Sequence, residues 1–329
     1  MPFENYVVDV IEGRRGALLR PVLYTLSLGY RVLSYLHRLS MKPQKVNIPV
    51  ISIGNITAGG TGKTPLIQYL AKKHKNVAII TRGYRSTLSS KKPVLICRGK
   101  GPLYSSKVCG DEPYLLSLTL PKTYIWIGKN RLKAAKLAEK KAKVILLDDG
   151  MQSYELHRDI EIVVMDGKDL FGKNHFLPRG YLREHPKRLK DADLIVVNHC
   201  VNYEATKKIL SAYTDAPIAV MALKPQEVFI GKKVAVFCAI GKPQHFFSTV
   251  QELGAEIVDT LVAPDHKPFK VETLKAFWKK CPSAEYLLCT EKDAVKLPKN
   301  INLPIRVVKT TVEITQGKEH LENLWKNLK

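Results

Sequence analysis

The sequence predicts an α/β protein. Its main body is a doubly wound, mostly parallel sheet carrying a phosphate-binding loop, joined to a second, smaller α/β domain and an N-terminal amphipathic helix. Three observations predict it. Short β-branched apolar runs alternate with helical runs from residue 46 onward, the order that a doubly wound layer requires. A glycine-rich turn joins the first of these runs to the first helix. An apolar and aromatic stretch broken by arginines precedes both. The expected divisions are an N-terminal segment at 1–43, a larger domain at 44–225 and a smaller domain at 226–329.

The N-terminal stretch has Arg14, Arg15, Arg20, Arg31 and Arg38 set among Leu, Val and Tyr. Its uncharged run between Arg20 and Arg31 is far shorter than the roughly 20 residues of a spanning helix. A helix lying in the membrane interface fits the pattern, with Leu and Tyr in the acyl boundary and Arg at lipid phosphates. A helix packed on the protein's own core is the competing reading. In the first domain, strands are expected at 46–53, 77–81, 94–97, 124–127, 144–147, 160–165 and 194–198, and helices at 63–75, 111–120 and 131–141. The near-continuous apolar strands suit a sheet buried on both faces. In the second domain, strands are expected at 234–239, 256–260, 286–289 and 305–308. Helices are expected there at 244–253, 271–279 and 318–327.

Composition narrows the partners. The chain has 329 residues, 45% hydrophobic and 25% charged, an ordinary globular balance that argues against disorder. Fifty-three Lys and Arg against thirty Asp and Glu leave a net charge of +23. Such a surface attracts nucleic acid, phosphorylated substrates or anionic lipid. No aromatic RNA-binding motif or zinc module points to nucleic acid, and no obligate protein partner is implied. Six cysteines, with no C-x-x-C pair, read as reduced buried thiols of a cytosolic chain.

Gly54-Asn-Ile-Thr-Ala-Gly-Gly-Thr-Gly-Lys-Thr-Pro65 is the most informative segment. Glycines let backbone N–H groups converge on phosphate oxygens. The ATP-binding set is Thr57, Ala58, Gly59, Gly60, Thr61, Gly62, Lys63 and Thr64. Lys63 would reach the β- and γ-phosphates, and the Thr64 hydroxyl would ligate Mg²⁺. The helix N-terminus adds partial positive charge. Thr57 replaces the first glycine of G-x-x-x-x-G-K-[ST], so this P-loop NTPase-like signature is incomplete. Asp148 and Asp149 end a further apolar strand, where an acidic side chain can hold Mg²⁺ beside such a loop; Asp148 is the expected ligand, with Asp149 supporting it.

These segments resemble the tetraacyldisaccharide 4′-kinases. The resemblance rests on Gly54–Pro65 as quoted and on further blocks in order. They are Thr81-Arg-Gly-Tyr84, Gly110-Asp-Glu-Pro113, Asp148-Asp-Gly-Met-Gln152, Leu177-Pro-Arg-Gly-Tyr-Leu-Arg-Glu184, Ala239-Ile-Gly-Lys-Pro243, Asp265-His266 and Thr290-Glu-Lys-Asp293. The resemblance implies ATP-dependent phosphorylation of the 4′-hydroxyl of an acylated glucosamine disaccharide 1-phosphate in lipid A biosynthesis, forming lipid IVA. It also implies a peripheral enzyme at the cytoplasmic face of the inner membrane. A sugar hydroxyl is a weak nucleophile that a proton acceptor assists, and Asp111 is the candidate. The family pairs the matching Asp with a His, which His266 matches; the dyad would form when the domains close. Arg82, Arg131 and Arg183 are candidate phosphate contacts. Gln152 could orient a phosphate or a metal-bound water, and Glu184 could be a second metal or acceptor contact. No chemistry is assigned to Thr290-Glu-Lys-Asp293. The competing function is a GTP-dependent switch or metallochaperone, but the guanine-reading Asn-Lys-x-Asp is absent.

Overall fold

The computed structural model describes residues 3–88, 92–241, 243–264, 267–298 and 300–328, and the side chains from residue 7. The N-terminal helices are α1 (Phe3–Ile11) and α2 (Arg20–Ser40). The first layer continues with β1 (Val50–Gly54), α3 (Lys63–Lys73), β2 (Val77–Thr81), β3 (Val94–Arg98), α4 (Ser106–Cys109) and α5 (Asp111–Thr119). Then come β4 (Tyr124–Ile127), α6 (Arg131–Ala138), β5 (Val144–Asp148), β6 (Ile160–Asp166), β7 (Leu194–Asn198), α7 (Tyr203–Leu210) and β8 (Ile218–Pro225). The second layer holds β9 (Lys233–Cys238), α8 (Pro243–Glu252), β10 (Glu256–Val262), α9 (Val271–Lys279), β11 (Tyr286–Thr290), α10 (Glu291–Ala294) and β12 (Ile305–Val308). The described chain ends with β13 (Thr310–Gln316) and α11 (Lys318–Lys326).

Among the described residues the larger sheet has nine strands in the order β13-β8-β7-β6-β1-β5-β2-β4-β3. β8 through β4 run parallel, and β13 and β3 are antiparallel edges. Every residue of β1, β2, β6 and β7 is buried, as a sheet covered on both faces demands. Within β6 the buried Glu161 carboxylate accepts from Ser52 Oγ at 2.6 Å and meets Arg158 Nε at 2.6 Å, which satisfies a charge that would otherwise be costly. β1 leads by way of α3 to β2, which lies beyond β5 on one side, while β6 flanks β1 on the other. The connections therefore reverse direction around β1, and ligands bind at the carboxyl ends of strands at such a switch point.

Among the described residues the second sheet is four parallel strands, β10-β9-β11-β12. The expected segment 226–329 does not all lie there. β13 returns to pair antiparallel with β8, from Thr310↔Pro225 to Gln316↔Val220, and Leu321 of α11 packs in the core of the first sheet. The alternation of exposed and half-buried residues along β13 is that of an edge strand. β8 and β13 were not among the expected strands. β8 ends in Lys-Pro, which reads as a linker, and β13 is too polar to stand out.

α2 docks only one face. Tyr24 meets His175 edge-on with ring centroids 5.8 Å apart, and His37 meets Tyr154 at 5.6 Å. Ser27 is its only buried residue. Leu26, Leu33, Leu36 and Leu39 are exposed, Leu33 at 68%. No helix among the described residues is long and apolar enough to cross a membrane.

Candidate active site

The loop after β1 is held in a shape that only glycine allows. Gly62, capping α3, has φ 100°, and a Cβ there would lie 2.4 Å from Met221 Cε and 2.9 Å from Asn198 Nδ2. Substitution therefore meets both a left-handed backbone and a steric block. Ala58 N donates to Tyr181 O at 2.7 Å, and Asn198 Nδ2 donates to Thr61 O at 3.3 Å. Thr57 forms an isolated antiparallel bridge with Leu182. Gly59 and Gly60 are exposed at the tip. Lys63 and Thr64 open the first turn of α3, where the helix dipole is positive.

β5 lies against β1, with Ile53 opposite Asp148, so the Asp148–Asp149 step stands beside the loop. Asp148 is 5% exposed and its Oδ2 accepts from Thr81 Oγ1 at 2.9 Å. Burial, then the charges of Glu112 and Asp149, push its pKa up to about 6 against the pull of Lys63 and Thr81. Asp149 takes the left-handed conformation at φ 52°. Its carboxylate is gripped from two sides. Arg183 donates through NH2 to Oδ1 at 2.6 Å and through NH1 to Oδ2 at 2.8 Å, and Lys63 Nζ stands 3.4 Å from Oδ1. Burial works to raise its pKa, but the Arg183 hydrogen bonds and the nearby Lys63, Arg183 and Arg131 charges hold it well below the usual carboxylate range.

Of this pair, Asp148 is the better metal ligand, because both oxygens of Asp149 already face cations. Thr64 and Asp148 offer hard oxygen donors, the set Mg²⁺ prefers. A cation beside Asp148 would also relieve a carboxylate that its surroundings penalise.

The remaining candidates separate by where they point. Arg183 also donates to the Asn55 side-chain oxygen, and to Asn55 O at 3.4 Å. It therefore ties the loop to Asp149. Gln152 Nε2 donates to Asn55 O at 3.2 Å. Arg82 is exposed. Arg131 differs from expectation. It is 2% exposed and turns inward, donating to Gly128 O at 2.6 Å and Asp148 O at 3.2 Å. That geometry supports the strand end rather than offering the guanidinium to a phosphate, and burial lowers its pKa to about 10. Glu184 also differs: it is 4% exposed, accepts from Tyr154 Oη and lies 3.9 Å from Arg188. Its backbone N donates to Ile56 O at 3.2 Å, while its carboxylate anchors the segment under α2 rather than facing the loop tip.

Asp111 begins α5, half-buried. Gly110 before it has φ 88°, and a Cβ there would stand 2.7 Å from Tyr84 O. That close approach welds the Thr81–Tyr84 turn to the Asp111 turn. A cavity of about 190 Å³ opens beside them, lined by Tyr84, Arg85, Lys107, Asp111, Glu112 and Lys296. His266 and Asp265 lie outside the described residues.

Sequence reasoning missed Asn55, Glu112, Asn198 and the two lysines Lys292 and Lys296. Glu112 stands in a quoted block and its charge bears on Asp148. Lys292 pairs with Glu112, and Lys296 Nζ stands 3.9 Å from Asp111 Oδ2. The signal for Lys292 was the Thr290–Asp293 block itself; Lys296 lies three residues beyond it. A second group able to hold a cation is Asp166, His199 and His245, with ligand atoms within 4.8 Å of one another. Asp166 also lines the cavity bordered by Thr57, Ala58, Gly59, Gly60 and Thr61.

The family model described as tetraacyldisaccharide-1-P 4′-kinase matches residues 19–329. The tetraacyldisaccharide 4′-kinase of Halothermothrix orenii is 34% identical, over 95% of this chain and 96% of its own. The protein of the same name from Chlamydia abortus is 35% identical, over 85% of this chain and 82% of its own. The crystal structure of LpxK from Aquifex aeolicus in complex with ATP matches with a TM-score of 0.76 and 27% identity. The match covers 94% of this chain and 99% of that one.

Proposed function

The chain belongs to the tetraacyldisaccharide-1-P 4′-kinase family, and from that premise we propose how its residues carry out the transfer. It is an ATP-dependent lipid sugar kinase. It moves the γ-phosphoryl group to the 4′-hydroxyl of an acylated glucosamine disaccharide 1-phosphate in lipid A biosynthesis.

Backbone N–H groups of residues 57–64 cradle the phosphate tail, and Lys63 meets the β- and γ-phosphates. Thr64 and Asp148 would hold Mg²⁺, which when bound would neutralise charge on the phosphates. Asp149 orients Lys63 and Arg183; it is a positioning residue rather than a ligand. Asp111 accepts the proton of the acceptor hydroxyl. The new O–P bond forms as the β–γ bridging P–O bond breaks, and the leaving charge stays on ADP. His266 pairs with Asp111 in this reading, on the strength of the family match.

The exposed Leu face of α2, with the net charge of +23, supports docking on an anionic membrane at the cytoplasmic face, where the acceptor lipid resides.

The observation that carries the reading is the meeting of the Lys63 loop with Asp148 and Asp149 at the switch point, with Asp111 on a cavity beside it. The test is incubation with ATP, Mg²⁺ and a tetraacyl disaccharide 1-phosphate. The expected result is a mass gain of one phosphate on the distal sugar. ATP hydrolysis with no phosphorylated lipid would reject the acceptor assignment.

A further inference from the structure

We propose that Lys296 is a positioning residue for Asp111, and that residues 290–296 form the arm through which the second sheet sets the acceptor side of the reaction. The inference rests on the reading of Asp111 as the proton acceptor.

The arm is fastened to its own sheet. Asp293 is 1% exposed. Its Oδ1 accepts from Ala239 N at 3.2 Å, at the end of β9, and its Oδ2 accepts from Thr290 Oγ1 at 2.7 Å. Thr290 in turn caps α10, with Asp293 N donating to its Oγ1 at 3.2 Å. Each of these bonds joins a buried polar group to a partner, so the turn holds one conformation.

From that anchor two lysines reach across to the first sheet. Lys296 Nζ stands 2.9 Å from Asp293 Oδ1 and 3.9 Å from Asp111 Oδ2. Its side chain is 7% exposed, and an ammonium that deep requires opposite charge. The two carboxylates supply it, one from each sheet. Four residues earlier, Lys292 pairs with Glu112. Adjacent acids at the start of α5 thus meet lysines one helical turn apart, a match that fixes both the distance and the rotation between the arm and α5. With Oδ2 facing Lys296, the plane of the Asp111 carboxylate is fixed at the wall of the cavity that Lys296 also lines. In the transfer Lys296 keeps its protons; the acceptor proton passes to Asp111 alone.

The test is a double-mutant cycle on the full chain with Lys296→Met, Asp111→Asn and the pair, measuring kcat, both KM values and melting temperature. Lys296→Met should lower kcat about 10²-fold, the effect of displacing a reacting group by roughly 1 Å, with KM for ATP unchanged. Lys296→Arg should recover most of that loss. In the Asp111→Asn background Lys296→Met should add less than about twofold, the mark of two residues acting as one unit. A full extra loss in that background, or a rise in acceptor KM with kcat unchanged, would overturn the inference. So would wild-type turnover by Lys296→Met beside a slow Asp111→Asn. Wild-type turnover by Asp111→Asn would instead overturn the base assignment. If Lys296→Met does not fold, Lys296→Gln takes its place in the same cycle.

Discussion

Asp148 and Asp149 are neighbours in the chain, yet their surroundings push their acidities apart. Asp148 is buried against like charges and rises to about 6, while Asp149 is pinned low by Arg183 and Lys63. Only the ionised form of Asp148 can ligate a metal. Below pH 6 its proton competes with Mg²⁺, so the apparent Mg²⁺ affinity should fall about tenfold between pH 7 and pH 5. A Mg²⁺ titration of turnover at each pH checks this, and a flat profile would remove Asp148 from the metal site. For stability the sign is opposite. The folded pKa lies above the unfolded value, so the ionised carboxylate destabilises the fold above about 6. That penalty fades as pH falls towards the ordinary carboxylate value of about 3.9. Asp148→Asn should therefore abolish turnover while raising the melting temperature of the ligand-free protein at pH 7, by about 2–4 °C if the gain is near 1 kcal/mol. Lys63→Ala should lower kcat by about 10²–10³-fold, the usual effect of losing one preorganised charge at a transition state. Its circular dichroism should stay native, since the lysine contributes little to the core.

At the scale of elements, α2 has a split character. Its inner face is engaged by Tyr24, Tyr30 and His37 against residues 154–176, and its outer face leaves Leu26, Leu33, Leu36 and Leu39 in solvent. The two sequence readings of this segment, membrane helix or core helix, thus describe its two faces. Burying one leucine stabilises by about 1.5–3 kcal/mol. Leu33→Glu with Leu36→Glu should then weaken sedimentation with anionic vesicles at least tenfold and leave the melting temperature nearly unchanged. Equal vesicle binding by the double variant would assign the exposed face some other role. The loop after β1 is the opposite case. Its glycines, its lysine and its place between strand and helix were legible because backbone geometry dictates those residue types locally. What held it in place was not legible. Asn198, Tyr181 and Arg183 come from 118 or more residues downstream of Lys63; the Leu177–Glu184 block marked the last two, but no local pattern tied any of the three to the loop.

At the scale of the whole molecule, the C-terminal end of the described chain belongs to the first sheet, not the second. β13 covers the edge of β8, and Leu321 joins the core that holds Met221, the residue against Gly62. Truncation after residue 309 should therefore unfold the nucleotide-binding sheet. A nucleotide analogue should lose binding and the main thermal transition should disappear. Retention of nucleotide binding would show that β13 is dispensable trim. The sequence by itself determined the fold class, the strand-loop-helix that grips phosphate and the acidic strand end, because each depends on residues within one turn or strand of one another. It also marked the Thr290–Asp293 block without its purpose. Only the tertiary structure decided that Arg183 and Lys63 grip Asp149 while Asp148 is buried beside it, that Arg131 and Glu184 turn inward, and that Lys292 and Lys296 meet Glu112 and Asp111. Charge and burial at a side chain are set by whatever the fold brings beside it, and those neighbours lie on strands and helices far away along the chain.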